Sequence, residues 1–295
     1  MGRLNPAARL YYLEQVDSTN NWAKAHLAGL AHLDAVYAAS QTAGKGRLGR
    51  SWQNAGQEGL YYTIVCKVPL ADPASLPLLA SLAAAGALKE LFGLCCQIKW
   101  PNDLLAGGKK LCGILCEATP DGIVCGIGVN LWQSEDFFAA RGLPHATSAA
   151  AALAAQRAGG EKGPGVPQDT SAPQNMGHAP DADAPPPGTG KAPDTGGAQS
   201  PRAAALPSNA ARLLAEGISA RFAALLPPFA QNGFGALRQE YCRHCVNLGR
   251  EVEFAGGRGV ARDIDEQGRL LVETGAGETA VFTGEVSVRG IYGRV

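Results

Sequence analysis

Between Arg157 and Ser208 the chain carries no aromatic residue, no leucine or isoleucine except Leu206, and ten of its nineteen prolines. Such a stretch cannot bury enough apolar surface to offset the roughly 1–2 kcal/mol per residue that ordering a backbone costs. Residues 157–208 therefore read as a disordered insertion rich in Pro, Gly and Ala, and folding is confined to the zones on either side. Residues 1–245 apart from the insertion read as one domain and residues 246–295 as a second, smaller one.

The first zone alternates strand-like and helix-like segments. Leu10–Val16, Asp34–Ser40, Gly59–Val68, Cys96–Trp100, Lys110–Ala118 and Gly122–Asn130 are expected strands, by β-branched and aromatic content with glycine at their borders. The last two, joined by Thr119-Pro120-Asp121-Gly122, are expected to form an antiparallel hairpin. Helices are expected from Ser18 or Thr19 to Leu27 and over Pro73–Leu91, where apolar residues recur at helical spacing. Beyond the insertion, Asn209–Leu226 reads as an amphipathic helix ended by Pro227 and Pro228, and Phe234–Cys245 as another helix. Five short β-rich runs follow: Glu251–Phe254, Gly259–Ile264, Leu270–Glu273, Glu278–Phe282 and Glu285–Arg289. They suggest a small SH3-like β-barrel. The expected class is α+β: a mixed sheet packed with helices, then the barrel.

Charge narrows the function. Lys and Arg balance Asp and Glu, giving a formal net charge of zero. That argues against a sequence-independent hold on nucleic acid. The N-terminal residues have no apolar core of signal-peptide length, and the apolar run around Leu76–Leu94 is interrupted by Pro77, Gly86, Lys89, Glu90 and Gly93. Neither reads as a membrane segment, and a cytoplasmic enzyme is expected. Six of the eight cysteines lie in apolar, strand-like company. Cys242 and Cys245 form a single Cys-x-x-Cys, and no second pair completes a zinc site.

Four stretches carry the chemistry. Asp17-Ser18-Thr19-Asn20-Asn21 is a polar cluster where a strand meets a helix, suited to capping or to holding a polar ligand head. Residues 41–52 alternate Gly44, Gly46 and Gly49 with Lys45, Arg47 and Arg50. Free backbone N–H groups beside fixed cations suit a phosphate or a charge that grows during reaction. In Lys99-Trp100-Pro101-Asn102-Asp103-Leu104 a strand must stop at Pro101 and expose Asn102 and Asp103; Lys109 and Lys110 follow. In Gly126-Ile127-Gly128-Val129-Asn130-Leu131 the glycines leave room for a ligand or another backbone.

Together these stretches resemble the biotin–protein ligases, in order through residues 11–150 and again from about residue 209 to 289. The Lys-Trp-Pro-Asn-Asp stretch, the run from Lys110 to Glu117 and Gly-Ile-Gly-Val-Asn are jointly specific to that family. The resemblance implies a catalytic sheet of the class II aminoacyl-tRNA synthetase/biotin ligase type. It implies ATP-driven conversion of biotin to biotinyl-5′-AMP, then transfer to a lysine of a biotin carboxyl carrier domain. Ser18, Thr19, Asn20, Gln41, Lys45, Gly46, Arg47, Lys110 and Gly113 are implied to bind biotin, and Arg47, Arg50, Trp52, Asn102, Lys110 and Asn130 the nucleotide. Arg47, Lys110 and Asp103 are the implied catalytic residues, with Asp103 also a contact for Mg²⁺. For Trp52, stacking on adenine and simple packing stay open; for Asn130, ligand contact and closing a strand end.

The loop departs from the family in carrying Lys45 and Leu48 where many members have arginine, so the forked contact of a guanidinium is missing at residue 45. Members that double as repressors carry a winged helix-turn-helix upstream, for which there is no room before Tyr11; a monofunctional ligase is expected, as monomer or homodimer. Alternatives are a lipoate or octanoate ligase or transferase of related fold, a biotin-sensing DNA-binding regulator and a catalytically inert binding module.

Overall fold

The computed structural model describes residues 8–53, 55–158, 206–282 and 286–291. Most of the expected insertion, residues 159–205, lies outside them. Its ends do not. Arg157 belongs to a helix, and Leu206, the one large aliphatic side chain of that stretch, is buried in the core.

Strand β1 (Leu10–Leu13) leads into helix α1 (Thr19–Ala25), and β2 (Ala35–Ala38) returns parallel to β1. Strand β3 (Gly59–Cys66) is buried along its whole length, which accounts for its apolar and aromatic sequence, broken only by Thr63. Helix α2 (Leu76–Phe92) follows a short 3₁₀ turn and ends at Gly93, whose φ of 69° closes the helix in the left-handed conformation. Then come β4 (Gln97–Lys99), β5 (Asp103–Ala106), β6 (Lys109–Thr119) and β7 (Gly122–Asn130), joined in antiparallel sequence. The spatial order is β1-β2-β3-β7-β6-β5-β4, a mixed sheet with the expected hairpin at β6 and β7. Strand β5 was not expected: Asp-Leu-Leu-Ala has no β-branched residue, and pairing on both sides overrides its local preference.

Helices α3 (Glu135–Ala139) and α4 (Ala149–Ala158) complete the first zone, and α5 (Ala210–Asn232) opens the second. The expected end of α5 at Pro227 is overturned, for both prolines lie inside the helix. Their rings are exposed, while Leu226 and Phe229 on the inner side are buried, so apolar burial carries the helix across the prolines. The helix ends instead at Gly233, whose φ is 66°. The single helix expected over Phe234–Cys245 is a 3₁₀ turn followed by α6 (Arg238–His244).

Strands β8 (Glu251–Phe254), β9 (Gly257–Ile264), β10 (Leu270–Thr274), β11 (Gly277–Val281) and β12 (Ser287–Val288) form a separate antiparallel sheet in the order β11-β10-β9-β8-β12. The α+β class thus holds, a mixed sheet with helices followed by a small all-β unit. The two sheets meet along β4: Val246 N donates to Ile98 O at 2.8 Å, and Trp100 Nε1 donates to Gly268 O at 2.9 Å. Cys245 lies at this junction, and burial pushes its thiol up to about 12. Pro73–Phe92 and Ala210–Ala236 are each long and apolar enough to cross a membrane, and two thirds of the first is buried against the fold. Here α2 and α5 pack on each other and on the sheet.

The parallel pair β1 and β2 at one edge of the sheet is pinned by a carboxylate. Asp34 accepts from the backbone N–H groups of Arg9 (2.7 Å) and Ala31 (2.9 Å) and from the Arg9 guanidinium (2.8 Å). Burial opposes its charge, but these donors outweigh it and hold its carboxyl below the usual value. A depressed folded-state value contributes stability that is present above the unfolded value, about 4 for Asp, and is lost as pH falls through the folded one. The urea midpoint of Asp34→Asn should therefore fall well short of that of the unaltered protein at pH 7, with the gap narrowing on acidification below about pH 4. A gap that stays constant with pH would show that the charge of Asp34 contributes nothing.

Candidate active site

Period-two alternation divides β7 cleanly. Cys125, Ile127 and Val129 enter the core, leaving Gly126, Gly128 and Asn130 on the opposite face. On β6 the alternation is interrupted: Leu104 of β5 pairs with Cys112 but Leu105 pairs with Lys110, so Leu111 is an extra residue. This bulge turns Lys110 to the same side as Gly113, three positions on. The backbone of Lys110 is clamped from the other flank, its N–H donating to His145 O (2.7 Å) and its carbonyl accepting from Thr147 N (2.8 Å). The result is a strand face bearing one lysine beside three glycines.

Over this face lies a cavity of about 670 Å³. Ser18, Thr19, Asn20, Gln41, Lys45, Gly46, Arg47, Arg50, Trp52, Asn102, Asp103, Lys110, Gly113 and Asn130 all line it. Every residue implied to bind biotin or nucleotide, or to act in catalysis, thus lines one cavity.

At one end, Ser18 holds the N-cap position of α1 without a capping side-chain bond. Gln41 Oε1 instead accepts from Thr19 N at 2.7 Å, and Thr63 Oγ1 donates to Asn20 Oδ1 at 2.7 Å. Asn20 Nδ2 donates to Leu115 O (3.1 Å) and Glu117 Oε2 (2.8 Å). A Cβ at residue 126 would stand 2.4 Å from Asn20 Oδ1, so Gly126 is what lets this amide sit against the sheet. Lys24 pairs with Glu117 at 2.6 Å; burial works against the Glu117 charge, yet Lys24 and Asn20 together hold it below the usual carboxylate value.

The glycine–cation stretch is a tight hairpin, with Trp52 N donating to Gly44 O (2.9 Å) and Gly46 N to Arg50 O (2.7 Å). Its tip holds Leu48 at φ 56°, a left-handed conformation that costs a non-glycine residue about 1–2 kcal/mol. The hairpin is fastened to both walls: Lys45 Nζ donates to Asn21 Oδ1 at 2.7 Å, and Arg47 Nη1 to Asn102 Oδ1 at 2.8 Å. Asn102 stands on the turn that follows the cis Trp100–Pro101 peptide and is held by donating to Ile114 O. Beside it Asp103 forms an ion pair with Lys110 at 2.7 Å.

Trp52 lies against the sheet. A Cβ at Gly113 or Gly128 would come within 2.8 or 2.6 Å of the indole, and the Lys110 ammonium stands 5.9 Å from its centroid. The indole thus rests on the glycine-bearing face while lining the cavity. Asn130 closes its strand end, donating to Thr147 O and accepting from Gln133 Nε2, while still bordering the cavity. Sequence reasoning missed Phe137, Leu143, His145, Val286 and Ser287, which also line it. No spacing marks the first three, and the last two come from a sheet read as a separate unit.

A pocket closed by a glycine–cation hairpin over a glycine-bearing antiparallel sheet, with an all-β unit on its rim, defines the biotin/lipoate ligase class. The sequence profile of the Biotin/lipoate A/B protein ligase family matches residues 12–130, and that of the Biotin protein ligase C terminal domain matches 248–289. A biotin–[acetyl-CoA-carboxylase] ligase of Paracoccus denitrificans is 30% identical, the match covering 93% of this chain and 98% of that protein. The chain therefore belongs to the biotin–[acetyl-CoA-carboxylase] ligase family. The Bacillus subtilis bifunctional ligase/repressor BirA is 36% identical over 110 residues, and the match spans only 34% of its length. The biotin protein ligase from Aquifex aeolicus, solved in complex with biotin and ATP, shares the fold with a TM-score of 0.66 at 24% identity, over 95% of this chain and 98% of that one.

Proposed function

We propose that the protein is a biotin–protein ligase that activates biotin with ATP to biotinyl-5′-AMP and passes the biotinyl group to a lysine of a carboxyl carrier domain. The observation that carries this reading is the convergence of Lys110 and Arg47 on one cavity, each cation held by its own partner, Asp103 or Asn102. In the first step a carboxylate oxygen attacks the α-phosphorus and pyrophosphate leaves. No proton has to be removed, so the demand on the protein is alignment and neutralisation of negative charge. Lys110 from the sheet and Arg47 from the hairpin supply that charge, pre-aimed by bonds to the Asn102–Asp103 turn. In the second step the neutral lysine amine attacks the acyl carbon of the mixed anhydride, AMP departs with its bonding pair, and the proton lost by the nitrogen passes to solvent.

Ser18, Thr19, Asn20 and Gln41 form the polar end suited to the ureido head of biotin, with Lys45, Gly46 and Gly113 along its length. Arg50, Trp52, Asn102 and Asn130 border the nucleotide side. Among the described residues no group of three or more His, Cys, Asp or Glu side chains could hold a metal ion on its own. Asp103 fits Mg²⁺ as a lone carboxylate, the arrangement in which substrate phosphates furnish most of the ligands. Bound there, the ion would neutralise phosphate charge. A carrier-domain partner and a cytoplasmic setting belong to the same reading.

The profile that matches residues 12–130 also covers lipoate ligases, whereas the C-terminal profile is of biotin ligases. Exchange of labelled pyrophosphate into ATP, with biotin, lipoate and octanoate in separate reactions, separates the two. Exchange should depend on biotin. Exchange with lipoate or octanoate alone would transfer the assignment to those acids, and none with any of the three would reject carboxylate activation.

A further inference from the structure

One buried amide has no part in the chemistry just described. Asn247, between α6 and β8, is fully buried; its Oδ1 accepts from Trp100 N at 2.8 Å, while its Nδ2 has no hydrogen-bond partner among the described residues. A buried donor left unpaired disfavours the folded state, so an aliphatic side chain of like size would serve packing better. What the amide supplies and an aliphatic residue cannot is the hold on Trp100.

Trp100 is itself 1% exposed, and its indole N–H is bonded to Gly268 in the turn between β9 and β10. Both ends of this residue, backbone and ring, are thus fastened to the C-terminal unit. The next residues in the chain are Pro101, Asn102 and Asp103, the turn that meets Arg47 and Lys110. Trp100 is thus the anchor of this turn on the C-terminal side, opposite the bonds that tie Asn102 to Ile114.

We propose that Asn247 is a positioning residue for carboxylate activation: from the C-terminal unit it fixes Trp100, and through Trp100 the turn that presents Asn102 to Arg47 and Asp103 to Lys110. This rests on the biotin ligase reading. The C-terminal sheet then acts on the first chemical step as well as bordering the cavity.

The test compares Asn247→Leu, which removes the acceptor, with Asn247→Asp, which retains it, in the full-length protein. Biotin binding is measured by calorimetry, and kcat and KM by pyrophosphate exchange. A misplacement of about 1 Å in an aligned site can lower rate on the order of 100-fold, and a kcat loss of that size is expected for Asn247→Leu. Biotin affinity should fall far less than kcat, because the end of the cavity at Ser18 and Gln41 is untouched, and Asn247→Asp should recover most of the rate. Unchanged kcat in Asn247→Leu, or parallel losses of kcat and biotin affinity that Asn247→Asp does not restore, would overturn the assignment. If Asn247→Leu does not fold, Trp100→Phe, which removes the ring N–H bonded to Gly268 together with part of the indole, is judged by the same split between kcat and binding. An unaltered protein that neither binds biotin nor supports exchange refutes the ligase reading instead, before any variant is compared.

Discussion

Replacing Lys110 by alanine should lower biotin-dependent pyrophosphate exchange by about 10³-fold while leaving the thermal melt nearly unchanged, since loss of one preorganised donor to a developing charge typically costs that much. Two effects add. The cation nearest the glycine-bearing sheet disappears, and the carboxylate of Asp103, 2.7 Å away in the intact protein, is left to face the substrate's own negative charges. Near-normal exchange in Lys110→Ala would remove this residue from the mechanism. The melt is expected to hold because Lys110 is half-buried and its backbone, clamped between β5 and the His145–Thr147 segment, does not depend on the side chain.

The largest effect on stability is expected at Phe229. Its ring is fully buried on the inner side of α5, two residues beyond the first of the paired prolines. Truncating a buried phenylalanine to alanine costs about 3–5 kcal/mol, a large share of the roughly 5–15 kcal/mol that holds a domain together. Phe229→Ala should show that loss in denaturant unfolding. It should also shorten α5 towards Leu226, because the burial that offsets the missing proline N–H groups is withdrawn. A loss below about 1 kcal/mol, under the range for such truncations, would mean that the helix crosses Pro227 and Pro228 for another reason.

That helix illustrates what the sequence shows and what it hides. Two consecutive prolines are a strong local signal to stop, and only the three-dimensional fact that Phe229 lands in the core reverses it. The β6–β7 hairpin was legible because its turn chemistry and strand composition agree. Strand β5 was not, since its conformation comes from neighbours far away in the chain. The site residues were recognisable as types, but their convergence on one face was not. By alternation alone Lys110 and Gly113 belong on opposite faces of β6, and the extra residue at Leu111 that reconciles them leaves no mark in the sequence. Trp100 was hidden differently: lying inside a motif that points to ligand chemistry, it also joins the two sheets through its indole N–H.

The indole of Trp52, laid across Gly113 and Gly128, gives the cavity a tenant of its own. Any flat ligand drawn to the same surface meets an intramolecular rival, tethered through a short loop at an effective concentration on the order of millimolar. Its measured affinity then reports the difference between two contacts with the sheet, not the strength of one. Enlarging either glycine would weaken the rival and the newcomer together.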